Sequence, residues 1–283
     1  MPTIDKYTNK QSRFMQMNQM MVHYRDEGEG QVILLLHGTF ASLHTFDRWT
    51  NSLKKKYRVI RVDLPGFGLT GPSRNGKYTV NSYMGFLTKF LDNLDVHKCH
   101  IAGSSLGGWL AWEFTALYPK RIDKMILIGA AGYFLDQRLP LPFLMAQSQL
   151  LSRFMKHITP KNLVARFVRE VFGDPDKVTD ELIDRYYDML TRRGNRDAFV
   201  ALANTKYVMH ADKIKGIKAP TLIMWGSKDA WVSVKNAAAF ENDLPRSKTV
   251  IYEGVGHIPM EEIPGKSVRD VHKFLLNGKS KKE

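Results

Sequence analysis

Short, continuous apolar runs alternate along this chain with stretches whose apolar residues recur at helical spacing. Gln31–Leu36, Tyr57–Val62, Cys99–Ala102, Lys124–Ile128, Ala219–Gly226 and Ser247–Tyr252 are of the first kind. A strand covered on both faces reads this way, because all of its side chains meet a helix. Residues 79–94 are of the second kind, with Val80, Met84, Leu87, Phe90, Leu91 and Leu94 at helical intervals. So are the stretch through Trp49 and Leu53, Leu106–Tyr118, Val234–Glu241 and Ser267–Leu276. Two more short strands are expected within Arg13–Glu27, ahead of a turn at Gly28-Glu29-Gly30. The alternation predicts an α/β fold, a mostly parallel sheet of about eight strands with helices on both faces.

The rhythm breaks between Phe134 and His210. No strand of the central kind occurs there, while Pro142–His157, Pro160–Phe172, Asp180–Arg193 and Arg196–Met209 all look helical. The stretch is too long for a loop and too regular for disorder. The expected organisation is a core of residues 1–133 and 211–283, with 134–210 inserted as a helical cap, or lid, over the sheet. The insertion is rich in Phe, Met and Leu, which suits internal packing and also the roof of an apolar pocket.

Composition narrows the classes. A chain of 283 residues suits one large domain with an inserted subdomain. Cys99 is the one cysteine, so no intramolecular disulfide forms, and a reducing compartment fits. Met1–Gln19 is polar and resembles no secretory signal, and no run approaches the ~18 apolar residues of a membrane span. A cytoplasmic protein without integral membrane association is expected. The net charge is +14, but the basic residues are spread out and no nucleic-acid motif accompanies them. They read as a solvated surface, with no nucleic-acid partner. The tail from Gly278 reads as a frayed end. No HExxH is present, and His97-Lys98-Cys99-His100 reads as structural. Neither a metal nor a cofactor is expected.

In a parallel sheet, ligands bind outside the carboxyl ends of the strands. Four of those ends carry suggestive residues: His37-Gly38-Thr39-Phe40, Ser105, Gly226-Ser227-Lys228-Asp229, and Gly254-Val255-Gly256-His257. Ser105 sits in a Gly103-x-Ser105-x-Gly107 pattern, running from strand through a sharp turn into a helix. Such a turn strains the serine backbone, lifts its hydroxyl clear of the sheet, and leaves no room for side chains two residues away on either side. A serine, a carboxylate and a histidine are thereby expected on one edge.

These residues resemble the α/β-hydrolase fold, in its serine esterase and lipase-like branch. The likeness rests on His37-Gly38, Asp63–Gly68, Gly103–Gly108, Gly226–Val232 and Gly256–Glu261, in the family's order of serine, aspartate, histidine. It implies Ser105 as nucleophile, His257 as its base, and Asp229 as the carboxylate that orients His257. Asp123, the rival carboxylate, precedes its strand and would lie at the wrong end of the sheet. The backbone N–H groups of Leu106 and Thr39 would form the oxyanion hole, with Phe40 as the substitute for Thr39. Phe40, Ser104, Trp231 and Ile258 would line the substrate pocket. His37 and Asp63 are expected to shape their loops.

Serine instead of aspartate at the elbow disfavours epoxide hydrolases and haloalkane dehalogenases, and Leu106 after the nucleophile disfavours proline iminopeptidases. Carbon–carbon bond hydrolases of aromatic degradation typically have a small Gly/Pro-rich run after His-Gly and a Trp after the catalytic histidine. Thr39-Phe40 and Ile258-Pro259 depart from that pattern. The expectation is therefore hydrolysis of short- to medium-chain carboxylic esters through an acyl-enzyme on Ser105. Carbon–carbon cleavage of the meta-cleavage product type, on the same triad, is the alternative. A non-catalytic binding protein is a further one. A small-molecule ester is the expected partner, and oligomeric state is not readable.

Overall fold

The computed structural model describes residues 3–17, 19–133, 139–206 and 210–276. After the short helix α1 (Thr3–Tyr7), a hairpin of β1 (Ser12–Met17) and β2 (Met20–Glu27) leads into β3 (Val32–Leu36). Then come α2 (Asp47–Leu53), β4 (Arg58–Val62), α3 (Val80–Asn93), β5 (Cys99–Ser104), α4 (Leu106–Leu117) and β6 (Ile122–Ile128). The strands form one 8-stranded sheet in the order β1-β2-β4-β3-β5-β6-β7-β8, where β7 is Thr221–Gly226 and β8 is Ser247–Tyr252. Pairings from β4 through β3 to β8 are parallel, and β1–β2 and β2–β4 are antiparallel. All residues of β3, β5 and β7 are buried, the reason their sequences are mostly apolar and show no in-out alternation.

Five helices lie between β6 and β7: α5 (Leu141–Gln147), α6 (Gln149–His157), α7 (Lys161–Glu170), α8 (Asp180–Thr191) and α9 (Asn195–Ala203). After β7 come α10 (Lys235–Asp243), α11 (Pro259–Glu262) and the closing α12 (Pro264–Leu276). The fold is thus an α/β sheet with a helical insertion. The single helix expected over 142–157 is two helices, because Ser148 takes an extended backbone (φ −74°, ψ 125°) and its side chain caps α6 by accepting from the Leu151 N–H. The helix expected over 196–209 ends at Ala203, and 207–209 lie outside the described residues. So do 134–138, which hold the insertion's first proposed boundary, and the C-terminal tail from 277.

Candidate active site

The turn from β5 into α4 holds Ser105 at φ 54°, ψ −115°, a region that side-chain-bearing residues rarely occupy. Its backbone is tied on both sides. The Ser105 N–H donates to Ile128 O at 2.9 Å, and its carbonyl accepts from Trp109 N at 3.0 Å and Ala131 N at 3.2 Å. A Cβ at Gly103 would overlap the Gly107 carbonyl, and one at Gly107 would overlap the Leu36 carbonyl of β3. Both glycines are therefore required for so tight a turn beside a neighbouring strand. Leu106 is the first residue of α4, so its N–H has no intrahelical acceptor and is available to a developing negative charge.

Asp229 and His257 come from the loops after β7 and β8. The His257 Nδ1–H donates to Asp229 Oδ2 at 2.7 Å. Asp229 Oδ1 accepts from the N–H groups of Trp231 (2.9 Å) and Val232 (2.8 Å), which fixes the carboxylate. Both side chains are buried. The other imidazole nitrogen, His257 Nε2, is buried with no hydrogen-bond partner, and His257 and Ser105 line the same cavity.

The histidine loop is laced to the insertion. His257 N donates to Val171 O at 2.8 Å. The buried Glu262 carboxylate of α11 accepts from Gly256 N (2.8 Å), Gly173 N (3.0 Å) and Asp174 N (3.0 Å). Backbone meets backbone here. A Cβ at Gly256 would strike Val171 O, and one at Gly173 would strike Gly254 O. Glu262 has no counterpart among the residues singled out from sequence. A glutamate in an amphipathic stretch gives no sign that its carboxylate will be turned inward.

The loop after β3 completes the edge. Leu64 N donates to His37 Nε2 at 3.0 Å, so Nδ1 carries the proton and donates to Gly38 O at 2.7 Å. Burial keeps this imidazole below its ordinary pKa. Phe40 sits at φ 62°. Asp63 accepts from Leu43 N, Leu69 N and His23 Nδ1, each at 2.7 Å. Burial alone would raise its pKa, but the bond from His23 and the electrostatic influence of His23, His37 and His44 around it outweigh that and hold it well below the carboxylate range. His37 and Asp63 thus shape loops. Asp123 lies at the amino end of β6, paired with Gln31 and Lys98. Among the described residues no group of three or more His, Cys, Asp or Glu is placed to hold a metal.

Two cavities meet at Ser105. A narrow one of about 40 Å³ is lined by Phe40, Ser104, Trp231 and Ile258, the four pocket residues expected from sequence, together with Thr39, Ser105 and His257. The wider, of about 310 Å³, is lined by Thr39, Ser105, Leu106, Phe143, Gln147 and Trp231 among others. Phe40, in the narrow cavity, has its ring centroid 4.2 Å from that of Phe199 and lies edge-on to Phe143 and Trp231 of the wide one. The insertion supplies much of the rest: Val164, Phe167, Val168, Val171 and Leu190. Apolar helical periodicity marked these helices but not which residues would face the serine. Apart from His257 and Tyr186, no lining residue described for either cavity has a titratable side chain. Ser104 Oγ and Trp231 Nε1 are buried there without partners.

A family model for the alpha/beta hydrolase fold matches residues 31–264, and the chain belongs to that family. It is 30% identical over 271 residues to a 2-hydroxy-6-oxononadienedioate/2-hydroxy-6-oxononatrienedioate hydrolase of Burkholderia vietnamiensis, covering 91% of each chain. Among solved structures, it is similar to a meta-cleavage product hydrolase from Pseudomonas fluorescens (26% identity, TM-score 0.81, 94% of this chain and 97% of that one). It is also similar to a bacterial membrane phospholipase A (25% identity, TM-score 0.83, 95% and 87%). The first two overturn the expectation of ester hydrolysis in favour of the carbon–carbon alternative. Thr39-Phe40 and Ile258-Pro259 were weak grounds against it. A serine, histidine and aspartate serve either reaction, and two loop residues do not decide which bond lies over the serine.

Among the described residues no helix is long and apolar enough to cross a membrane.

Proposed function

We propose that this hydrolase cleaves a carbon–carbon bond in 2-hydroxy-6-oxo-dienoate ketones. The observation that carries the reading is the 30% identity across 91% of both chains to a hydrolase named for such a substrate. The paired cavities support it, since a long ketone cut near its middle needs room on both sides of Ser105.

In this reading Ser105 Oγ attacks the C6 carbonyl while His257 Nε2 takes its proton and Asp229 steadies the imidazolium. The N–H groups of Leu106 and of Thr39 or Phe40 hold the oxyanion. Carbon is a poor leaving group, so the C5–C6 bond breaks only when its electron pair has a sink. The 2-oxo tautomer, in which the 2-hydroxyl proton has moved to C5, supplies one: the pair runs through the conjugated chain to the C2 oxygen, where the proton carried by His257 completes the 2-hydroxy product. Water, with His257 again as base, then releases the acid R–COOH and frees Ser105. The sum is one water consumed, with 2-hydroxypenta-2,4-dienoate as the second product.

Loss of the dienoate chromophore measures the reaction. Wild type should turn over at least one of the C6-alkyl, C6-phenyl and dienedioate substrates, and Ser105→Ala should lose about 10³-fold or more in kcat. No turnover of any of the three sinks the reading.

A further inference from the structure

Seven of the 13 large apolar side chains exposed among the described residues fall within residues 139–158. Leu150 is 78% exposed and Ile158 55%, so these are not marginal cases. On α6, Leu150, Phe154 and Ile158 recur every four residues with Leu151 beside them, forming one outward stripe, while Met155 is buried. Leu141 and Leu144 make a second stripe on α5, which packs against α6. A clustered apolar face of this kind marks a contact surface, whereas apolar residues exposed singly do not.

The charge along this stretch of sequence is one-sided, although Lys156, Lys161 and Arg166 pair with Asp197, Asp184 and Glu170. Residues 139–170 contain Arg153, Lys156, Lys161, Arg166 and Arg169 against one acid, Glu170. Arg153 and His157 flank the α6 stripe directly. The whole chain carries +14. An apolar face bordered by cations on an amphipathic helix fits the plane of an anionic bilayer, with the stripe among the upper acyl chains and the cations at the phosphates.

We propose that the α5–α6 face docks this protein on an anionic lipid surface. The inference stands independently of the bond the enzyme cleaves. It has a consequence for access. Leu139, Pro140, Phe143 and Gln147, at and before α5, line the wide cavity, so docking sets that cavity beside the lipid. A substrate that partitions to the lipid surface then reaches Ser105 without a long path through water.

The test is cosedimentation of the full chain with phosphatidylcholine–phosphatidylglycerol vesicles, against phosphatidylcholine alone, at low and high salt. Binding to the anionic vesicles is expected, weakened on the order of tenfold by salt. Leu150→Glu with Phe154→Glu should abolish it, and Arg153→Glu should weaken it, each with the thermal melting of wild type because the side chains are exposed. Absence of binding overturns the proposal, as does salt-independent binding to both vesicle types. Self-association in analytical ultracentrifugation that the double variant removes would assign the face to a second copy of the chain, and would also overturn it.

Discussion

Ser105 and Phe40 both hold positive φ, 54° and 62°, and both line the narrow cavity. For Ser105 the strain was readable, because Gly103 and Gly107 mark the turn that imposes it. For Phe40 it was not, since an aromatic residue gives no local hint of a left-handed backbone. Glu262 was equally hidden, and it carries a test. Its carboxylate gathers three backbone N–H groups, one of them next to His257. In Glu262→Ala those donors lose their acceptor and the histidine loop loosens. We expect kcat to fall roughly 10- to 100-fold with KM little changed, since sub-ångström placement of a base is worth that much. Glu262→Gln, which keeps an acceptor oxygen, should fall less. Unaltered kcat in the alanine variant would mean that the loop is fixed by its other bonds, such as His257 N to Val171 O.

At the scale of elements, the parallel strands were the most legible part of the chain. Double burial leaves β3, β5 and β7 few polar positions, so their runs stand out and their ends locate His37, Ser105 and Asp229, while His257 follows the half-exposed β8. The insertion was legible as helix and little further. Phe167 and Val168 line the narrow cavity while Leu150 and Phe154 face outward, yet all belong to helices with similar apolar content. Which face turns inward is decided by packing on neighbouring helices, and that information is not local. The break at Ser148 shows the same limit. A serine within an apolar helical pattern reads as tolerated, until its side chain is seen capping the next helix. The choice between ester and carbon–carbon cleavage lay beyond any element, because the same three side chains serve both.

For the whole molecule, a buried imidazole ties stability to pH. Burial lowers His44 to about 4, with Asp63 and Asp47 pulling the other way and Arg25 and Arg185 adding to the lowering. His44 therefore stays neutral in the fold where the unfolded chain, with a histidine near 6.5, already binds a proton. Between those two values the unfolded state gains more protons, so stability falls as pH drops from about 6.5 to about 4. This group alone costs up to about 3 kcal/mol across that window. His37, lowered by its own burial, acts with the same sign. Urea midpoints should decline steadily from pH 7 to pH 4.5, and His44→Gln should flatten the decline. A midpoint constant over that range would contradict the assignment.

In the proposed reaction Ser105, His257 and Asp229 cut a carbon–carbon bond beside a ketone. Its most direct test is product analysis by mass spectrometry after wild type and Ser105→Ala meet a C6-alkyl 2-hydroxy-6-oxo-dienoate in ¹⁸O-labelled water. Wild type alone should give 2-hydroxypenta-2,4-dienoate and the matching alkyl acid carrying ¹⁸O. Intact substrate with wild type, or equal product from the alanine variant, would contradict it.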